Sequence, residues 1–322
     1  MNKIKVHFIV GRMAEDYNQI FGGTLATVNA YMKAFENDQE FEIVVKKRAD
    51  FKNTDEISEF SKDCDIFHVD DTYTLGEMYK AGMKYPDVIG PISRSPVKAY
   101  NSGAWECPYP ADWFYRAHII RLNHSEEKED TLREEFKGIN FVKHITLIRH
   151  GIDTNLLCPG CKQIKKKYIL WAGNHLRPAK NYELWEEIQE IIKDKLPKEY
   201  ELITLSGYKV KDYWDILDKT AILVNTSKYE SFCCALFEAR AKGVCTIQPK
   251  LLNGPGVHED ARIQVEYNAK AYANKIVELT KNPSLIEKEG KLNRQYTLEH
   301  ASLYSMREDI AKVYKEIYGK LH

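Results

Sequence analysis

Residues 168–193 read YILWAGNHLRPAKNYELWEEIQEIIK. Tyr168–Ala172 is a short apolar run, and Gly173 closes it. A turn-rich connection follows, and then a helical pattern over 182–193. Strand, tight connection and helix in that order open a βαβ unit. In such units the parallel strands are covered on both faces by helices. Further strands are expected at Glu201–Leu205, 221–225 and 244–247, with helices over 212–217, 235–242 and 271–279.

The N-terminal half has the same grammar. Ile4–Val10 reads as a strand, the Gly22–Gly23 loop follows, and residues 24–35 read as a helix. Short apolar runs recur at 41–45, 64–69, 88–89 and His118–Leu122, with helical stretches between several of them. At 322 residues the chain suits two domains of about 150 residues each. The expected organisation is α/β: one Rossmann-like domain over 1–158 and a second over 159–298. The Pro, Gly, paired Cys and basic run of 159–167 marks the boundary. The helical pattern at 301–318 reads as a brace, placing 299–322 back on the N-terminal domain. Ligands of open α/β sheets lie beyond the carboxyl ends of the strands, so two such domains would face each other across a cleft.

Composition narrows the classes. Hydrophobic residues make up 43% and charged residues 29%, as a soluble folded chain requires. Lys plus Arg and Asp plus Glu both total 47, so no global field steers the chain to nucleic acid or anionic lipid. No stretch approaches the roughly 20 apolar residues needed to cross a bilayer, and residues 1–20 lack a signal peptide's apolar segment and cleavage site. A cytoplasmic protein with no transmembrane association is expected. Seven cysteines cannot all pair within one chain, and Cys158–Cys161 is a CxxC without a second pair to complete a zinc site.

Residues 227–243, SKYESFCCALFEARAKG, place Glu230 and Glu238 eight apart at the mouth of an α/β element. Carboxylates accept hydrogen bonds from hydroxyls, so the pair suits a sugar and a ribose. Two glutamates on an ordinary exposed helix have the same spacing. Lys180, after the glycine-ended strand, suits a diphosphate. At Gly22 and Gly23 the missing Cβ lets backbone amides approach phosphate or sugar, although a turn with a helix cap needs the same residues.

These stretches resemble the retaining GT-B glycosyltransferases of the glycogen-synthase-like, family 4 group. The resemblance spans most of the chain and is strongest over 125–243. Residues 124–132, HSEEKEDTL, resemble the family's serine and acidic helix. Residues 145–155, ITLIRHGIDTN, resemble its strand and turn, with Arg149 and His150 in place of the usual Pro and Asn. Residues 168–181 resemble its diphosphate-binding turn. Asn174 stands where the family has Arg, and Arg177 is a compensating cation. Around the glutamates, Ser227, Phe232, Ala239 and Gly243 match, while Ser231 and Cys233 replace common glycines.

The resemblance implies a UDP-, GDP- or ADP-sugar donor held by Gly22, Gly23, Gly173, Arg177, Lys180, Glu230, Ser231, Phe232 and Glu238, and no essential metal. Glu230 would contact the donor sugar, Glu238 the ribose, and Lys180 the leaving diphosphate. It implies transfer to an acceptor hydroxyl with retention at the anomeric carbon. The family's N-domain His is absent from 87–96, DVIGPISRSP, where Ser93 and Arg94 are the acceptor-side candidates. Asp70 is a candidate for assisting deprotonation and Asp71 for binding acceptor hydroxyls; both equally suit a turn cap. Trp105 and Trp113, in the aromatic stretch 100–121, suit stacking on a sugar or base, although aromatics are ordinary core material and an insertion packed on the domain surface is the simpler reading. The acceptor is a saccharide, lipid or small molecule. Compact viral GT-B enzymes make a hydroxymethylated DNA base the alternative, which would need a positive groove and base flipping. A sugar-nucleotide epimerase or hydrolase and a non-enzymatic sugar-nucleotide sensor are further readings. The oligomeric state is not legible.

Overall fold

Short strands alternate with helices along the chain. In the computed structural model, which describes residues 3–10, 23–69, 88–93, 118–122, 145–148, 150–160, 167–228, 233–250 and 262–321, the strands form two sheets, both parallel. The first contains β1 (Ile4–Val10), β2 (Phe41–Lys47), β3 (Ile66–Val69), β4 (Val88–Ser93), β5 (His118–Leu122) and β6 (Ile145–Ile148), in the order β2-β1-β3-β4-β5-β6. The second contains β7 (Tyr168–Ala172), β8 (Glu201–Leu205), β9 (Thr220–Val224), β10 (Cys245–Pro249) and β11 (Gln264–Val265), in the order β11-β10-β9-β7-β8. Central β9 and β10 are buried throughout, whereas the edge strand β8 has only exposed and half-buried residues.

The described helices are α1 (Gly23–Ala34), α2 (Thr54–Lys62), α3 (Tyr182–Ile192), α4 (Val210–Leu217), α5 (Cys234–Ala241), α6 (Ala269–Thr280), α7 (Pro283–His300) and α8 (Leu303–Leu321). Each sheet is flanked by helices, as the alternation predicts, giving two Rossmann-like domains. The chain divides into two compact units. One draws on 23–151 with the β1 segment and 303–322, the other on 152–302. Cys158 and Pro159 belong to the second unit.

In the first unit the core joins Val6, Phe8 and Val10 of β1 with Tyr31 and Phe35, and with Met306, Ile310, Tyr314 and Ile317 of α8. Those four α8 residues recur at helical spacing, so α8 lays one apolar face on this unit. Arg307, on the same helix, grips Asp38 through Nε at 2.7 Å and Nη2 at 3.0 Å, and reaches Glu40 at 2.6 Å. His68 at the end of β3 is fully buried, and its Nδ1 lies 2.7 Å from Tyr314 Oη. Burial pushes its pKa down to about 3, so it is neutral.

In the second unit alternate residues of β7 serve opposite layers. Ile169 and Trp171 pack with Leu184, Trp185, Ile188 and Ile192 of α3 and with α6. Leu170 packs with Tyr213 and Leu217 of α4 and with Leu236 and Phe237 of α5. Fully burying side chains of this size contributes about 1.5–3 kcal/mol each. Ile152 and Ser302, where the chain enters and leaves this unit, form a parallel bridge.

Helix α7 is one element the periodicity does not announce. Its buried face is Ile286, Glu289, Gly290, Asn293 and Thr297, at helical spacing but mostly polar. Asn293 Nδ2 donates to Val244 O at 3.0 Å, and Arg294 Nη1 donates to Leu157 O at 3.1 Å. Gly290 makes this packing possible, since a Cβ there would stand 2.1 Å from the backbone oxygen of Gly243. Gly290→Ala is expected to destabilise the protein by about 3 kcal/mol, the upper range for overpacking. Thermal unfolding checks this, and an unchanged Tm would mean that α7 can shift off Gly243 freely. No described helix is long and apolar enough to cross a membrane.

Candidate functional site

The order of the second sheet locates its ligand end. The connection from β7 runs to one side, to β8, and the next returns across to β9, so the strand order reverses between β7 and β9. A doubly wound sheet binds nucleotides in the crevice at the carboxyl ends of such a pair. Gly173 follows β7 there, and residues 225–228 follow β9. In the first sheet the reversal falls between β1 and β3.

The two connections of the second sheet are tied together by hydrogen bonds. The Trp171 indole N–H donates to Thr226 Oγ1 at 2.8 Å, and that hydroxyl donates to Lys180 O at 2.8 Å. Lys228 N donates to Ala179 O at 2.8 Å. Tyr267 Oη donates to Thr226 O at 3.0 Å and accepts from Asn181 Nδ2 at 2.6 Å. Tyr272 Oη donates to Asn225 O at 2.7 Å. The Lys180 backbone is therefore fixed from the β9 side as well as by its own 3-10 turn, Pro178–Lys180. A Cβ at Gly173 would sit 3.1 Å from the Trp171 ring and 3.6 Å from Lys180 Cγ, so the glycine leaves room for both side chains. Arg177 and Lys228 are exposed and Lys180 is half-buried. Three cations thus stand on two connections that hydrogen bonds hold in register.

Asn174, where the resembled family has Arg, shapes the turn instead. Its Oδ1 accepts Leu176 N at 3.0 Å and its backbone oxygen accepts Arg177 N at 3.0 Å. Asp153 also has a local task, its Oδ1 accepting Leu156 N at 2.9 Å. Asn225 is buried at the end of β9; its Oδ1 accepts Ser227 N at 3.0 Å, and its Nδ2 finds no partner among the described residues. A buried unpaired donor at a ligand end calls for an explanation.

Glu238 lies on α5, half-buried. Loss of solvation pushes its carboxyl up to about 8, opposed by a hydrogen bond from the Trp214 indole of α4. Its charge in turn helps raise the Tyr213 hydroxyl, after burial and Tyr208. Among the candidates, then, Gly173, Arg177 and Lys180 share the β7–α3 connection, and Glu238 stands separately against α4. Gly23 is the first residue of α1, and Ser93 the last of β4. Glu230, Ser231, Phe232, Gly22, Asp70, Asp71, Arg94, Trp105 and Trp113 lie outside the described residues. Thr226, Tyr267, Tyr272 and Lys228 are additions from the structure. A threonine or tyrosine placed by a distant strand leaves no local sequence pattern. Among the described residues no group of three or more His, Cys, Asp or Glu is placed to hold a metal ion.

No protein-family model matches the chain, and no curated protein sequence matches it significantly. Solved structures do. Sucrose-phosphate synthase from Thermosynechococcus elongatus is similar over 99% of this chain and 100% of its own, with a TM-score of 0.70 and 12% identity. The chain has the GT-B fold. An alpha-glucosyltransferase in complex with UDP and a 13-mer DNA containing an HMU base is similar over 98% of this chain and 100% of its own, with a TM-score of 0.65 and 12% identity. Anabaena HepE in complex with UDP and glucose is similar over 97% of this chain and 100% of its own, with a TM-score of 0.64 and 10% identity. At these identities the likeness is one of fold, and nothing in it singles out the glycogen-synthase-like group within GT-B.

Proposed function

We propose that this GT-B chain is a retaining glycosyltransferase, moving a glycosyl group from a nucleoside-diphosphate sugar to an acceptor hydroxyl. The observation that carries the reading is the reversal of strand order between β7 and β9, where hydrogen-bonded connections present Arg177, Lys180 and Lys228. Cations pre-positioned at the end of a parallel sheet suit a diphosphate whose charge grows as the sugar departs. Lys180 stabilises that charge in the transition state. Glu238 accepts hydrogen bonds from the ribose hydroxyls, and Glu230 orients the donor sugar, as the resemblance of 227–243 to the glycogen-synthase-like group implies. The departing diphosphate can itself take the acceptor's proton. A catalytic metal has no task in this scheme.

The neighbours named above act in settings as different as sucrose phosphate and DNA, so the acceptor is set by experiment. The test is a mass-spectrometric screen of UDP-, GDP- and ADP-sugars with pooled saccharide, lipid and small-molecule acceptors and with hydroxymethylated duplex DNA. Nucleotide release coupled to a mass gain on an acceptor is the expected result. Gain on DNA at low salt would select the modified-base reading, and donor conversion without acceptor would indicate an epimerase or hydrolase. Donor binding with no conversion in any mixture would favour a sensor.

A further inference from the structure

The β7–α3 connection carries a polar pair that the scheme above leaves unused. His175 lies two residues past Gly173 and is exposed. Its Nδ1 is 2.6 Å from Ser206 Oγ, and its backbone N–H donates to the same oxygen at 3.2 Å. Ser206 follows β8, the strand beside β7. A serine hydroxyl has one proton to donate and lone pairs to accept with. Here Oγ accepts from the backbone N–H, and either its proton or its second lone pair can serve Nδ1. Where the hydroxyl donates, the ring hydrogen stands on Nε2. The Tyr182 ring meets the imidazole edge-on, with centroids 5.9 Å apart and an interplanar angle of 62°. One side of the imidazole is thus held by two other elements, and no described residue partners Nε2. An exposed ring anchored through Nδ1, on the loop of Arg177 and Lys180, leaves Nε2 as the atom that can meet a ligand.

We propose that His175 is a donor-binding residue, its Nε2–H donating to a phosphate oxygen of the nucleoside diphosphate, with Ser206 as a positioning residue that fixes the tautomer. This rests on the glycosyltransferase reading. A pre-oriented N–H donor adds directional selectivity for a phosphate oxygen on a loop that already carries two cations.

The test is calorimetric binding of UDP, GDP and ADP to the wild type and to His175→Ala, His175→Gln, Ser206→Ala and Lys180→Ala, together with ¹⁵N NMR of the histidine rings. In the free wild type, His175 is expected to carry its proton on Nε2. His175→Ala should weaken the preferred nucleotide about 10-fold, the scale of one hydrogen bond to a charged group. His175→Gln keeps an N–H donor and should recover most of that loss. Ser206→Ala should mix the two tautomers and give an intermediate loss, which a merely structural role would not produce. Wild-type affinity in folded His175→Ala, or a proton found on Nδ1, would overturn the proposal. If Lys180→Ala weakens binding while His175→Ala does not, the donor site stands and only the His175 assignment falls. A wild type that binds none of the three nucleotides removes both.

Discussion

Replacing Lys180 by alanine is expected to lower kcat/KM for the nucleoside-diphosphate sugar by about a hundred- to a thousandfold, the scale for removing one pre-organised transition-state donor. The effect should be large because the residue is built into place. Its carbonyl takes the Thr226 hydroxyl at 2.8 Å, its N–H bonds Arg177 O at 2.9 Å, and its stem lies over Gly173, where a Cβ would come within 3.6 Å of Lys180 Cγ. An ammonium carried on such a frame needs little reorganisation as charge develops on the leaving group. If its role is confined to the transition state, kcat falls and nucleotide affinity falls less. Thr226→Val removes the hydroxyl between the two connections while keeping the shape, and should cost a smaller part of kcat. Steady-state kinetics with the identified donor decide the matter, with circular dichroism to check folding. Wild-type kcat/KM in a folded Lys180→Ala would remove this residue from the chemistry.

The second large effect is a pH dependence centred on Glu238. Burial raises its carboxyl from the ordinary 4.5 to about 8. An ionised carboxylate accepts from two hydroxyls at once, whereas the protonated acid loses part of that capacity. Binding a ribose through the ionised form must therefore release a proton below pH 8. Nucleotide affinity should rise with pH, by up to about tenfold per unit well below the pKa, and level off above it. Folding has the opposite sign. A carboxyl whose folded pKa is raised contributes stability that is fully present below about pH 4.5 and is lost as pH rises through about 8. Glu238→Gln should thus bind nucleotide weakly with a flatter pH profile, and be more stable than the wild type above pH 8. One pKa unit corresponds to about 1.4 kcal/mol, and solvent around this half-buried side chain trims the total. Calorimetry and urea unfolding across pH test both limbs. Affinity that falls as pH rises in the wild type but not in Glu238→Gln would mean that the protonated acid is the binding form.

The strands are legible in the sequence where burial is two-sided. Tyr168–Ala172 and the run at 221–224 are apolar, and Ile4–Val10 is mostly so, because helices cover both faces, so their strands are visible locally. The amphipathic helices are visible because one face alone is buried, as at Leu184, Trp185, Ile188 and Ile192. The signal fails at α7, whose buried face holds Glu289, Gly290, Asn293 and Thr297. Polar residues there are buried because Arg262, Val244 O and backbone partners satisfy them, and periodicity cannot show partners. The strand β11 is two residues long and carries no pattern.

At the candidate site the sequence by itself determined which residue types stand in the connections that follow the strands. Gly173 is legible because a tight turn after a strand needs a glycine, whereas Lys180 and Glu238 stand out only through the pattern of the stretches 168–181 and 227–243. Only the tertiary structure decided how those residues are held. Trp171 and Thr226 are 55 positions apart, Asn181 and Tyr267 86 apart, and His175 and Ser206 31 apart, yet each pair is hydrogen-bonded. The parallel sheet brings the carboxyl ends of its strands to one edge whatever their distance along the chain. Whether a threonine clasps a lysine there, or a glutamate loses its solvent, depends on which strands become neighbours, and that is settled by the order β11-β10-β9-β7-β8 rather than by any local stretch.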